Sequence, residues 1–239
     1  MELFKEIESY ENQIAPELSG GDLATQKELQ RVAEWKEQRK GKFTGSKFSD
    51  LMKKGKGSLP FGETCKTYMC EKLIERLTGD VIEVPETWQM RRGTINEVVA
   101  KEFLRQYYDY AIQEVGFLEI IRCVAGASPD GLIPEVGALE IKCRNGMAHY
   151  NYGLTPVTEK HDDFWQMQGE MMAAGVDACL YANFNPDISN IEAKCLIQIV
   201  EKDIEACDRL LERIGLCEMH VKEAEKLGLL KGFIYLKSL

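Results

Sequence analysis

The stretch SPDGLIPEVGALEIKC, residues 128–143, decides the fold. The run FLEIIRCVAGASPDGLI, residues 117–133, then the turn signal Pro134-Glu-Val-Gly137, then ALEIKC predict two antiparallel strands joined by a short loop. On the second strand Glu140 and Lys142 are two apart and leave the same face, while Leu139, Ile141 and Cys143 point to the other. Outward from the hairpin the period changes. Upstream, GTINEVVAKEFLRQYY places Ile95, Val98, Val99, Phe103 and Leu104 at helical spacing and predicts a long amphipathic helix. Before it come a helix from about Thr64 to Leu77, ended by Gly79, and a short helix opening at Ser46 in SKFSDLMKK. Residues 1–38 form an N-terminal helical arm with Leu29, Val32, Ala33 and Trp35 on one face. Downstream, a looser stretch with Gly146, Gly153 and Pro156 leads into the helix FWQMQGEMMAA. Strands DACLYANF and IEAKCLIQIV follow, then a helix opening near Asp203. The order predicts an α/β (α+β) chain with a mixed central sheet flanked by helices.

A hydrophobic content of 44% against 29% charged residues is an ordinary globular balance and excludes a disordered or fibrous protein. The 239 residues are expected to form a single domain, with the arm at 1–34, a core at 35–215 and a C-terminal tail at 216–239. No apolar run is long enough to span a bilayer, and MELFKEIESYENQ is too polar for a signal peptide, which predicts a cytoplasmic protein. The eight cysteines contain no C-x-x-C pair and are expected to stay reduced, as small core residues. The net charge of -9 argues against broad nonspecific binding to nucleic acid. One stretch departs from it: Arg39, Lys40, Lys42, Lys47, Lys53, Lys54 and Lys56 stand against a single acid, Asp50.

Asp130 followed by Glu140 and Lys142 fits the pattern P-D, spacer, (D/E)-x-K. Two carboxylates brought together across the hairpin supply the hard oxygen ligands that Mg²⁺ prefers, and a lysine beside them can orient water or stabilise charge on a phosphate. On pattern alone, a cross-strand charge cluster on a solvated face is the commoner meaning of each residue. Glu97 could add a third carboxylate, but Thr94-x-x-Glu97 equally fits a capping box, and the pattern leaves both open. Gln166 and Glu170 are four apart on one helix face, opposite a Phe164, Met167 and Met171 core stripe. Arg39 and the helix start at Ser46 could hold phosphate, since exposed amides and a guanidinium fork both suit that anion. His149, His161 and His220 show no metal-ligand spacing.

These segments fall in a distinctive order: W-x3-R-x-G-x2-T-x-S from Trp35, R-x-G-x3-E on a helix, SPDGL, LEIKC, WQMQ and ANFNP. The chain resembles the lambda exonuclease and YqaJ-type viral recombinase family of PD-(D/E)XK nucleases, from Trp35 to the C-terminal helix. The resemblance implies a restriction-endonuclease-like core and Mg²⁺-dependent 5′ to 3′ digestion of one strand at linear double-stranded DNA ends, with Mn²⁺ as an alternative ion. It implies Asp130, Glu140, Glu97 and the Ile141 backbone carbonyl at the metal, and Lys142 and Gln166 in catalysis. Arg39 and Ser46 would hold the DNA 5′-phosphate. It also implies a phage or prophage origin, a single-strand annealing protein as partner and a homo-oligomer, since such enzymes can form ring-shaped trimers. Two positions depart from the family pattern: Arg144 where proline is common after the LEIKC cysteine, and Asp163 where an aromatic is expected three before Gln166. Cys195, Cys207 and Cys217 are too widely spaced for the iron–sulfur branch of the same nucleases. A restriction-type endonuclease and a non-catalytic DNA-end-binding protein are the alternatives.

Overall fold

Leu139 and Ile141, predicted to leave one face of the hairpin strand, are buried. In the computed structural model, which describes residues 23–57, 59–82 and 87–239, they lie on β5 (Gly137–Cys143), the strand around which the rest is ordered. Before it in the chain come α1 (Leu23–Arg39), β1 (Phe43–Thr44), a 3₁₀ turn (Gly45–Lys47), α2 (Phe48–Met52), α3 (Glu63–Thr78) and α4 (Trp88–Tyr108). Strands β2 (Leu118–Ile121), β3 (Ala125–Ala127) and β4 (Gly131–Ile133) lead into β5. After it follow α5 (Gly146–Leu154), α6 (Phe164–Ala174), β6 (Ala178–Phe184), α7 (Ile191–Lys194), β7 (Cys195–Glu201), α8 (Ile204–Leu227) and α9 (Leu229–Ser238).

The strands divide into two sheets. The run 117–133, expected to be one strand, is broken by a turn at Cys123, whose φ is 60°, and again before Gly131, so β2 and β3 pair with each other and β4 alone pairs antiparallel with β5. β5 pairs parallel with β6, and β6 antiparallel with β7. A smaller sheet has the order β1-β3-β2, with β1 parallel to β3. The period of two sorts the larger sheet into two faces. Leu139, Ile141, Leu180, Ala182 and Phe184 pack against Val99, Ala100, Phe103 and Leu104 of α4. Ala138, Cys179 and Tyr181 pack on the opposite face against Met167 and Met171 of α6. Glu140 and Lys142 share this second face, so α6 covers both an apolar patch and the polar end of the same strand. A third cluster joins Phe43, Phe48 and Leu51 to α3, α8 and α9.

Several expectations change. Residues 1–22 of the N-terminal arm lie outside the described residues, as do 83–86 of the acidic stretch before Trp88. α4 begins at Trp88 with Thr87 as its cap, the hydroxyl accepting from the Met90 amide at 3.2 Å. Thr94 is therefore inside the helix, donating to the Met90 carbonyl, and the capping box with Glu97 does not form. The stretch IEAKCLIQIV is not all strand: the Asn190 side chain accepts from the Glu192 and Ala193 amides and starts the one-turn helix α7 before β7. Gly146–Leu154, expected to be loose, is α5. Its Gly153 is a packing requirement, because a Cβ there would lie 2.6 Å from Leu196 Cδ1 of β7. The helix capped by Asp203 runs to Leu227, because Leu210, Ile214, Cys217, Val221 and Ala224 continue the buried stripe. Six cysteines are buried, whereas Cys123 is exposed and Cys143 is half-buried. No described helix is long and apolar enough to cross a membrane.

Gly169 sets how closely α6 approaches α2. A Cβ at Gly169 would lie 2.3 Å from Cε2 of the fully buried Phe48 ring. Gly169→Ala is expected to lower stability by roughly 1–3 kcal/mol through overpacking, measured as a fall in the urea midpoint. An unchanged midpoint would contradict this packing.

Candidate active site

Glu140 and Lys142 leave β5 toward α6, as their spacing predicts, and α6 answers with Gln166 and Glu170 one turn apart. The Lys142 ammonium lies 2.5 Å from Glu140 Oε1 and donates to Gln166 Oε1 at 2.9 Å. Gln166 Nε2 donates to both Glu140 Oε1 and Glu170 Oε1, each at 2.8 Å. A single amide thus links the base and two acids, and Gln166 is no plain surface residue. Asp130 joins from the approach to β4. Its amide donates to the Leu139 carbonyl at 2.9 Å, and its Oδ2 accepts from the Ile141 amide at 2.7 Å.

Burial dominates the electrostatics. Glu140 and Glu170 are 2% and 1% exposed, and each keeps one carboxylate oxygen, Oε2, buried with no hydrogen-bond partner. Burial pushes the Asp130 carboxyl well above its ordinary range, and the neighbouring Glu140 and Glu97 push it further. Burial and the Glu140 carboxyl act in the same direction on Glu170. Burial works to depress the Lys142 ammonium, but Glu140 and Asp163 outweigh it and hold it above its usual value. Glu97 lies in the third turn of α4, within electrostatic reach of Asp130, and pairs with Lys101 at 2.7 Å.

Arg39 and Ser46 also come together. Arg39 Nη2 donates to Ser46 Oγ at 3.2 Å, and Nη1 donates to Ser128 Oγ at 3.3 Å. The Trp35 indole N–H donates to the same Ser128 oxygen at 3.1 Å, and the Arg39 guanidinium stacks 4.1 Å over the Trp35 ring. Four lysines of the basic stretch form ion pairs: Lys47 and Lys53 both reach Asp50, Lys40 pairs with Glu37, and Lys42 pairs with Glu119. Ser128 and Glu170 are the contributors that sequence analysis did not single out as site residues. Ser128 is two residues from Asp130, and this nearness in the sequence is the signal that could have found it. The turn carrying Ser46 also lies against α6, since a Cβ on Gly45 would be 3.9 Å from Gln166 Cγ.

Among the described residues no group of three or more His, Cys, Asp and Glu side chains is gathered to hold a metal ion. The carboxylates nevertheless fit a hard cation. Mg²⁺ needs only one or two of them and completes its shell with water and phosphate oxygens, and Glu140 Oε2 is an orphaned oxygen of the right chemistry.

The family model for the YqaJ-like viral recombinase domain matches residues 34–177. The alkaline exonuclease of Laribacter hongkongensis, solved alone and in complex with dAMP, is 27% identical, with a TM-score of 0.70 over 86% of this chain and 96% of that one. A phage-related exonuclease from Haemophilus somnus 129PT has the same fold at 15% identity, with a TM-score of 0.61 over 77% of this chain and 95% of its own. No curated protein sequence matches the chain. These neighbours establish the restriction-endonuclease-like fold, with mixed sheets flanked by helices.

Because Glu170 holds its proton more tightly folded than unfolded, its contribution to stability is full below its ordinary value of 4.5 and is lost as pH rises through the folded value. Glu170→Gln is expected to flatten this loss, so that the urea midpoint falls less between about pH 5 and about pH 8 than in wild type. Parallel pH profiles would contradict the raised carboxyl.

Proposed function

We propose, from the premise that this chain belongs to the YqaJ-like viral recombinase family, that it is a Mg²⁺-dependent exonuclease of phage type. In this reading it digests one strand of linear duplex DNA from the 5′ end and leaves a 3′ overhang for recombination. The observation that carries it is the sharing of one short segment by two clusters. Ser128 completes the Arg39–Ser46 cradle, and Asp130, two residues on, joins the carboxylate, Lys142 and Gln166 cluster. A phosphate cradle tied at fixed distance to a hydrolytic centre suits an enzyme that starts at a DNA end, and an enzyme cutting inside a duplex has no need of it.

Asp130 and Glu140 would hold the ion, with the Ile141 carbonyl and Glu97 as further donors; Mn²⁺ has the same ligand preference. When bound, the ion polarises the scissile phosphate and lowers the pKa of the attacking water. Lys142, held charged by Glu140 and Asp163, stabilises negative charge building on the phosphate. Gln166 keeps the Lys142 head in place while bridging Glu140 and Glu170. The Arg39 fork and the Ser46 and Ser128 hydroxyls bind the terminal 5′-phosphate. The dAMP in complex with the Laribacter exonuclease is a mononucleotide, the product class assigned here. A single-strand annealing protein is the natural recipient of the overhang, and a homo-oligomer encircling DNA is the assembly this reading carries.

With a duplex labelled at either end, wild type and Mg²⁺ are expected to release the 5′ label first and as mononucleotide, and EDTA to stop the reaction. Lys142→Ala is expected to abolish cleavage while the variant still unfolds cooperatively. Undiminished cleavage by that variant would overturn the assignment. Arg39→Ala is expected to reduce the preference for 5′-phosphorylated over 5′-hydroxyl ends by about ten-fold, the loss of one charge-assisted contact. Equal digestion of both ends by wild type would refute the cradle.

A further inference from the structure

Arg144 directly follows β5, and its side chain reaches the same α6 side of the sheet as Glu140 and Lys142. Its guanidinium stacks 4.0 Å over the Tyr152 ring. Arg144 Nη2 donates to Asp163 Oδ2 at 2.7 Å, and Nη1 donates to the Tyr181 hydroxyl, also at 2.7 Å. Tyr181 donates in turn to the same Asp163 oxygen at 2.7 Å and accepts from Asn183 Nδ2 at 3.1 Å. Tyr181 is fully buried and faces Glu140 across the β5–β6 ladder.

Asp163 is the N-cap residue of α6, yet its side chain makes no capping bond. An aspartate there ordinarily accepts from an amide of the first turn; this one gives its carboxylate to Arg144 and Tyr181 instead. The first turn of α6 is thereby tied to both central strands, three residues before Gln166. Lys142 pairs with Glu140 and is within electrostatic reach of Asp163.

We propose that Arg144, Asp163 and Tyr181 form a positioning unit that fixes the first turn of α6 over β5, and through Gln166 the Lys142 ammonium. This rests on the nuclease reading above. None of the three acts on substrate; each acts through Gln166 and Lys142. A plain stabilising ion pair makes a different prediction, since its loss changes unfolding and leaves turnover of the folded molecules intact.

The test measures kcat and KM on a blunt 5′-phosphorylated duplex with Mg²⁺, together with cooperative thermal unfolding, for wild type, Arg144→Met, Asp163→Asn, the double variant and Tyr181→Phe. Each charge-removing single variant is expected to lose kcat by roughly ten- to a hundred-fold, the effect of a small displacement of catalytic groups, with KM within about two-fold. The double variant is expected to lose no more than the worse single one, because the residues act as one unit. Tyr181→Phe removes one hydroxyl, leaves the ion pair and is expected to show a smaller loss of the same kind, so the outcome survives if a charge-removing variant misfolds. Wild-type kcat in folded Asp163→Asn, a raised KM with unchanged kcat in Arg144→Met, or additive losses in the double variant would each overturn the unit. Failure of wild type itself to cleave overturns the nuclease reading, and this one with it.

Discussion

Carboxylates withdrawn from water constrain everything around them in this protein. Glu140 and Glu170 are essentially buried, and Asp130 is pushed by its surroundings toward its protonated form. Buried like charges are tolerated only where partners compensate them. The compensation comes from two residues: Lys142, from the same strand as Glu140, and Gln166, whose amide faces both glutamates. Because each is shared, none of the four can shift alone. The two orphaned Oε2 atoms mark where compensation is incomplete.

The fold delivers this arrangement by using opposite faces of one sheet for different purposes. The α4 face is apolar throughout and fixes the strands. The α6 face is apolar near Met167 and Met171 and polar near Gln166, so one helix both closes the core and builds the site. Gly169 lets that helix approach Phe48, and Gly45 brings the turn carrying Ser46 against it. The Arg39–Ser46 cluster and the acidic cluster are linked through the segment Ser128-Pro129-Asp130.

Much of this was legible in the chain itself. The hairpin over 128–143 follows from its period of two and its turn residues. The long helix before it and the α6 stripe follow from their periods of 3.6, as does the same-face placement of Glu140 with Lys142 and of Gln166 with Glu170. These are local properties, set by backbone geometry within a few residues. The ordered motifs fixed the family for the same reason, since each is a short contiguous segment.

Tertiary structure decided what depends on partners far apart in sequence. That Gln166 bridges Glu140 and Lys142, that Ser128 meets Arg39, and that Arg144 meets Asp163 are contacts across 19 to 89 positions. No periodicity encodes them. That Glu97 forms no capping box likewise turned on Thr87 starting α4 earlier than Thr94. Gly153 breaks nothing because Leu196, distant in the chain, demands its lack of a side chain. Sequence specifies which face a residue takes, because that is geometry along one segment. What the face meets is specified by packing between segments, and only the folded chain contains it.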